Sequence, residues 1–221
     1  MRLSRLILGG IALAYVGVAM CDDMPSSGFL SGAVESKLKG VKLNDGREVM
    51  RWISPAVSKS NYNAVMVDRV IYYPAPNPGP QVSSSALEEI ADYLTRVLRE
   101  ELARSAKVVD RAGPGVLRIQ PAITAVIVEK EGLSAKDIVP VHLLFSAAKS
   151  ASGSMDEDVT AMVEIRVNDS MTREVRAAVK MSIKGEQLEG SKDQLSVKDF
   201  KASLDRRAKV GAEELAEALK K

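Results

Sequence analysis

The chain has 221 residues, with 31 lysines and arginines against 29 aspartates and glutamates, a formal net charge of +2. Arg2 and Arg5 are the only charges in residues 1–20, so the remainder is neutral and lacks the basic stripe that nucleic-acid binding requires. A single cysteine, Cys21, excludes an intramolecular disulfide, and a single histidine, His142, excludes a metal site built from several histidines.

Residues 1–20 are organised as a secretory signal peptide. Arg2 and Arg5 give a positive start, and an uncharged apolar run extends from Leu6 to Met20. This run is shorter than the roughly 20 apolar residues that span a bilayer, so an uncleaved membrane anchor is disfavoured. The pattern predicts export and removal of the segment.

The end of the apolar run, Val18-Ala19-Met20-Cys21, resembles the lipobox of bacterial lipoproteins. In that motif the cysteine is acylated on its sulfur and becomes the first residue of the mature chain. Asp22 and Asp23 follow directly and resemble an inner-membrane retention signal, so inner and outer membrane both remain open. The alternative is ordinary secretion, with cleavage after Ala19 and a free thiol at Cys21.

Residues 21–47 are predicted as the lipidated cysteine and a flexible tether, because Pro25 and Gly28 interrupt it and the later charges show no period. Residues 48–221 are predicted as a single domain. Six segments in it are rich in β-branched and aromatic residues and predict strands. They are residues 49–53, 64–73, 107–110, 116–129, 158–167 and 172–183. Pro121 predicts a bulge or an edge, and Asn168-Asp169-Ser170 predicts a hairpin turn.

Two segments have apolar residues at spacings of three and four, which predicts amphipathic helices. They are residues 85–106, beginning with a capping box of Ser85 and Glu88, and residues 196–220. The expected fold is an α+β two-layer sandwich, with a mostly antiparallel sheet of four to six strands and both long helices on one face.

Several stretches in the same order resemble a family of bacterial lipoproteins known as domain of unknown function 3313. The matching pieces are Ser27–Leu30, Val108–Asp110, Gly113–Arg118, Ala122–Thr124, Val139–Val141 and Asp169–Glu174. The resemblance implies an envelope lipoprotein and implies no established activity.

Motifs that imitate catalytic sites are incomplete. Residues 185–192 resemble a phosphate loop, but serine and lysine are exchanged relative to Gly-Lys-Ser/Thr. Ser146 and Lys149 match Ser-x-x-Lys without the Ser-Asp-Asn and Lys-Thr-Gly motifs of penicillin-binding enzymes. The sequence therefore predicts a protein that is not an enzyme, with no cofactor and no metal.

An apolar insertion at about residues 132–154 interrupts the strands, and its candidate interface residues are Val139, Val141, Leu144 and Phe145. Such a stripe packs into the core as a short helix or forms an exposed contact. The leading hypothesis is a membrane-anchored domain, held by acyl chains on Cys21 and facing the periplasm. It binds an envelope protein or cell-wall partner in an accessory or assembly role. The alternatives are a periplasmic carrier of a small apolar ligand, with the ligand between sheet and helices, and an unanchored secreted domain.

Overall fold

The computed structural model describes residues 26–76, 83–129, 158–184, 197–199 and 201–219. These described residues contain eight strands: β1 Lys39–Lys42, β2 Glu48–Ile53, β3 Ala64–Val67, β4 Ile71–Tyr72, β5 Lys107–Val108, β6 Val116–Glu129, β7 Asp158–Asp169 and β8 Val175–Lys184. The helices are α1 Gly32–Glu35, α2 Ser84–Ala103 and α3 Lys201–Ala218, and a 3-10 turn, Val197–Asp199, precedes α3.

The strands form one sheet in the order β1-β2-β8-β7-β6-β3-β5, with β4 also paired to β6. The pairs from β1 to β6 along this order are antiparallel, whereas the pairs β3–β5, β3–β6 and β4–β6 are parallel. The parallel pairs arise because α2 carries the chain back across the sheet between β4 and β5. The predicted α+β class is confirmed, but the predicted sheet of four to six mostly antiparallel strands is corrected to a mixed sheet of eight.

Helices α2 and α3 lie on one face of the sheet, as their patterns predict. The residues of α2 that are buried are Leu87, Ile90, Ala91, Leu94, Val97 and Leu102. The two helices are joined by Tyr93, whose hydroxyl donates to Asp205 Oδ1 at 2.5 Å. Helix α2 begins earlier than predicted, because Ser83 rather than Ser85 accepts a hydrogen bond from a backbone amide of the first turn.

Pro121 lies inside β6 without interrupting its pairing to β7. The carbonyls of Ile119 and Ile123 accept hydrogen bonds from the amides of Asp68 and Tyr73, so this side of β6 faces β3 and β4. Pro121, which has no amide proton to donate, lies opposite the gap between β3 and β4. The segment 64–73, which was predicted as one continuous strand, is therefore divided into two strands at this gap.

Residues 26–38, which we call the strap, pack against the sheet face that the helices leave uncovered. Phe29, Leu30 and Val34 are buried there, at 7%, 1% and 6% exposure. Strand β1 then pairs with β2 at the edge of the sheet. The expectation of a loose tether over residues 21–47 is thus corrected for the part from residue 26 onward, because three apolar side chains without helical or strand periodicity anchor it. Within the described ranges, no helix combines the length and the hydropathy needed to cross a membrane.

Candidate functional site

The strap crosses the helix-free face from β4 towards β1. It begins beside Tyr73, whose ring lies 5.7 Å from that of Phe29 in an edge-on arrangement. Gly28 has a φ of +81°, and a Cβ at this position would lie 3.8 Å from the Tyr73 hydroxyl. The strap ends with Lys37, whose ammonium lies 4.5 Å from the centre of the Trp52 ring on β2. The first described residues of the strap therefore lie beside the end of β4.

Small residues of the sheet make room for the strap. Ala122 on β6 and Ala178 on β8 are fully buried, and they form one apolar cluster with Phe29, Leu30 and Val34. An alanine at each sheet position leaves a depression into which a larger side chain from the strap packs. Burial of a leucine such as Leu30 contributes roughly 1.5–3 kcal/mol.

A group of buried charges lies under the strap. Glu164 on β7 is opposite Lys180 on β8, and the two are 0% and 5% exposed. The ammonium of Lys180 is 3.9 Å from Glu164 Oε1 and 3.8 Å from Glu35 Oε1, the latter at the end of α1 in the strap. Thr124 on β6 donates from its hydroxyl to Glu164 Oε1 at 3.3 Å. The lysine therefore stands between a carboxylate of the sheet and a carboxylate of the strap.

A second network of polar side chains extends across β6 and β7. The side-chain oxygen of Gln120 accepts hydrogen bonds from Arg166 Nε at 3.2 Å and from Asn168 Nδ2 at 2.7 Å. The amide nitrogen of Gln120 donates to Asp68, which also accepts from Arg118 Nε at 2.8 Å. Arg166 reaches the strap as well, because its guanidinium lies 4.9 Å from the Phe29 ring and donates to the Phe29 carbonyl at 3.4 Å.

The chemistry of this face is that of a docking site for the strap. Its donors and acceptors are mostly engaged with one another, and Lys180 and Arg166 each contact the strap and the sheet. Among the described residues, the side-chain atoms that are buried without a hydrogen-bond partner are Glu35 Oε1, Glu164 Oε2 and Asn168 Oδ1, together with Nε and one terminal nitrogen of Arg207. Across the same residues there is no cluster of three or more His, Cys, Asp or Glu side chains suited to a metal ion.

Two of the stretches that carry the family resemblance, Gly113–Arg118 and Asp169–Glu174, meet at the start of β6. Ser170, in the β7–β8 turn, donates from its hydroxyl to the Gly113 carbonyl at 2.9 Å and accepts from the Gly113 amide at 3.1 Å. Gly115 has a φ of +70°, and a Cβ there would lie 3.4 Å from the Asn61 carbonyl oxygen. This corner contributes to the fold, since its hydrogen bonds join two turns that are distant in the sequence.

Asp169 organises the same corner. Its carboxylate accepts hydrogen bonds from the amides of Thr172 and Met171, at 2.8 and 2.9 Å, and from the Tyr62 hydroxyl at 3.0 Å. The amide of Thr172 has the largest effect in lowering the pKa of Asp169, with further lowering from Met171 and Tyr62. Arg176 Nε donates to the Tyr62 hydroxyl at 2.9 Å and so extends the network to β8.

The residues that the sequence singled out lie outside the described ranges. These are the predicted lipid site Cys21, the sorting residues Asp22 and Asp23, and the predicted interface residues Val139, Val141, Leu144 and Phe145. The predicted helical insertion at about residues 132–154 lies outside them too.

Sequence reasoning missed the docking face itself. Met162, Glu164 and Arg166 alternate with apolar residues, which is typical of a strand with one solvated face. The signal that was available is the pair Glu164 and Lys180, because the hairpin register sets them opposite each other. The apolar pair Phe29–Leu30, eight residues after the predicted anchor Cys21, is the second signal.

Comparison with known proteins was made at the level of sequence and of fold. The family model described as "Protein of unknown function (DUF3313)" matches residues 25–210. The "Uncharacterized lipoprotein YdcL" of Escherichia coli K12 is 30% identical over 195 residues, which cover 87% of each chain. Among solved structures, a minor lipoprotein from Acinetobacter baumannii has a TM-score of 0.36 and 7% identity over 71% of this chain and 94% of that one. The PelC dodecamer from Paraburkholderia phytofirmans has a TM-score of 0.38 and 9% identity over 78% and 98% of the two chains.

Proposed function

Because this chain belongs to DUF3313, a bacterial lipoprotein family of unknown function, we propose that it acts in the cell envelope. It is a lipid-anchored domain that binds a partner and catalyses no reaction. Cys21 carries the acyl chains, and Asp22 and Asp23 take part in sorting between the two membranes. The domain faces the periplasm in an accessory or assembly role.

The observation that supports this proposal best is the burial of the strap. Phe29, Leu30 and Val34 are packed into the sheet a few residues after Cys21. Four residues separate Cys21 from Ser26, so lipid on Cys21 holds the folded domain itself at the membrane rather than at the end of a long linker. Several acyl chains on one cysteine give stable attachment, since each buried methylene contributes about 0.8 kcal/mol.

Substitution of Cys21 tests the anchor. The Cys21→Ser variant is expected to leave the membrane fraction for the soluble periplasmic fraction, with its thermal unfolding unchanged. A variant that stays in the membrane fraction after a high-salt wash would contradict lipid anchoring at this residue. Lys39→Ser, an exchange at an exposed position of β1, serves as the matched control and is expected to stay in the membrane.

We place the partner contact on residues 138–148, which carry Val139, Val141, Leu144 and Phe145. The support is chemical, because a contiguous exposed apolar stripe is typical of binding sites. A photo-crosslinking residue at Phe145, or separately at Leu144, is expected to give a discrete adduct in living cells. The same residue at Met171, an exposed position in the β7–β8 turn, is the control. Absence of an adduct at both test positions in a folded, membrane-bound protein would count against this interface.

A further inference from the structure

An apolar pair is exposed at the place where the strap leaves the domain. Among the described residues, the large hydrophobic side chains that are most exposed are Ile71 at 46%, Tyr73 at 38% and Met171 at 61%. Ile71 and Tyr73 are two positions apart, so they project from the same face of the sheet. Tyr72 between them points the other way, towards α2, where its hydroxyl donates to the Leu87 carbonyl at 3.1 Å. The pair therefore belongs to the helix-free face.

The strap ties this pair to the anchor. Phe29 packs edge-on against Tyr73, and Gly28 lies beside the same ring. Seven residues lead from Cys21 to Gly28, and a fully extended chain advances at most about 3.6 Å per residue. Cys21 therefore cannot be more than roughly 25 Å along the chain from Gly28, which lies beside Tyr73, and this reach is less than the thickness of a bilayer. Met171, in contrast, belongs to the turn next to the start of β6, several residues along the sheet from the Ile71–Ala122 pair.

We propose that Ile71 and Tyr73 rest in the head-group region of the bilayer that holds Cys21, so that the β4 edge of the domain faces the lipid. This inference rests on the proposed lipid anchor. Tyrosine suits such a position, because its ring is apolar while its hydroxyl remains hydrated, and aromatic residues of this kind are enriched at membrane interfaces. Ile71 adds an aliphatic contact with the upper acyl chains.

The single cysteine of the chain permits a direct test. With Cys21 blocked by lipid, a cysteine introduced as Ile71→Cys is the only free thiol, and it can carry an environment-sensitive nitrobenzoxadiazole fluorophore. The membrane form of the protein is labelled and reconstituted into vesicles of phosphatidylethanolamine and phosphatidylglycerol. Met171→Cys is the matched control, since it is also an exposed apolar position. Tyr73→Cys is a second test position.

The expected result is a blue-shifted emission at position 71 that is quenched by a spin label near the head of the acyl chains, with no quenching at position 171. Equal emission and equal absence of quenching at positions 71, 73 and 171 would overturn the inference. The thermal unfolding of each labelled variant identifies any that fails to fold, and the other test position then decides.

Failure of the anchor itself has a different signature. If Cys21 is not lipidated, the unsubstituted protein reacts with the thiol reagent and does not float with the vesicles. A protein that floats and does not react, yet shows a water-exposed probe at position 71, contradicts the membrane-facing edge alone.

Discussion

The buried charged residues under the strap contribute both to the sheet and to the attachment of the strap. Glu164 and Lys180 occupy facing positions on neighbouring strands and are nearly inaccessible to water. Burial of a charge costs several kcal/mol unless a partner offsets it. Lys180 therefore compensates Glu164 in the sheet and, at the same time, offers a favourable position to Glu35 of the strap. These charge contacts define the position of the strap on the sheet more closely than apolar contacts alone would.

Removal of Lys180 is expected to be severely destabilising. In Lys180→Met two carboxylates remain under the strap without this cation, and the free energy of unfolding should fall by about 3–5 kcal/mol. Lys201→Met removes an exposed pair with Asp205 and should cost less than about 1 kcal/mol. Urea unfolding compares the two. The double variant Lys180→Met, Glu164→Gln should recover part of the loss, and equal small effects of both single variants would contradict the role of the buried group.

Asp169 makes the stability of the β7–β8 corner depend on pH. The amide of Thr172, with help from Met171 and Tyr62, lowers the pKa of this carboxyl in the folded state. Its contribution is complete above the ordinary carboxyl pKa of about 3.9 and is lost as the pH falls through the lower folded value.

The variant Asp169→Asn is thus expected to be less stable than the original chain at pH 7, by about 1 kcal/mol for hydrogen bonds of this kind. The difference should shrink progressively below about pH 4. Thermal unfolding at pH 7 and at a series of acid values measures it. A difference that is constant over the whole range would mean that the ionised carboxylate has no part in the effect.

At the scale of elements, the strap covers the helix-free face of the sheet. It has only one short helical turn, α1, and no strand over residues 26–38. Its attachment depends on a few side chains that enter depressions over Ala122 and Ala178. An element fixed by so few contacts opens more readily than the sheet beneath it.

Truncation of Leu30 should release the strap. Leu30 is 1% exposed, and Leu30→Ala is expected to lower the free energy of unfolding by about 2–3 kcal/mol. Limited trypsin digestion should then cleave at Lys37 faster than in the original chain. Gly32→Ala is the control, because a Cβ there meets nothing within 4 Å. An unchanged cleavage rate in Leu30→Ala would contradict the docking role of this residue.

How far the sequence determines these elements differs between the two faces. Helices α2 and α3 and the β7–β8 hairpin were predicted from local periodicity, with boundaries that differ from the observed ones by a few residues. Strand β5 lies within the predicted segment 107–110, whereas the break that separates β3 from β4 within residues 64–73 was not predicted. The strap could not be predicted from local periodicity, because its helix has only four residues and the rest of it has no regular period. Its conformation depends on contacts with β6 and β8 that are distant in the sequence. The burial of Glu164 was missed for the same reason, since only the strap removes it from water.

At the scale of the whole molecule, the domain has two unlike faces. One face carries α2 and α3, whereas the other carries the strap and, at the β4 edge, the exposed pair Ile71 and Tyr73. In the proposed arrangement, a short connection from this edge to a lipid on Cys21 orients the domain relative to the membrane. Orientation, rather than attachment alone, is what a fixed partner on the membrane surface or in the cell wall requires.

Lengthening the connection should weaken that orientation. Insertion of about twenty Gly and Ser residues between Asp23 and Met24 adds a flexible linker with a root-mean-square span of roughly 25 Å. The protein should remain in the membrane, while the probe at position 71 becomes less quenched by the lipid spin label. Quenching that is unaffected by the insertion would show that the β4 edge binds lipid without help from the short connection.

The central claim is that lipid on Cys21 anchors a domain whose fold begins only a few residues later. The most direct test is mass spectrometry of the intact protein extracted from the membrane fraction. Lipid anchoring at Cys21 predicts a mature chain that begins at Cys21 and carries acyl groups on the sulfur of this residue. A chain that begins at Met20, after cleavage behind Ala19, with an unmodified cysteine would contradict it.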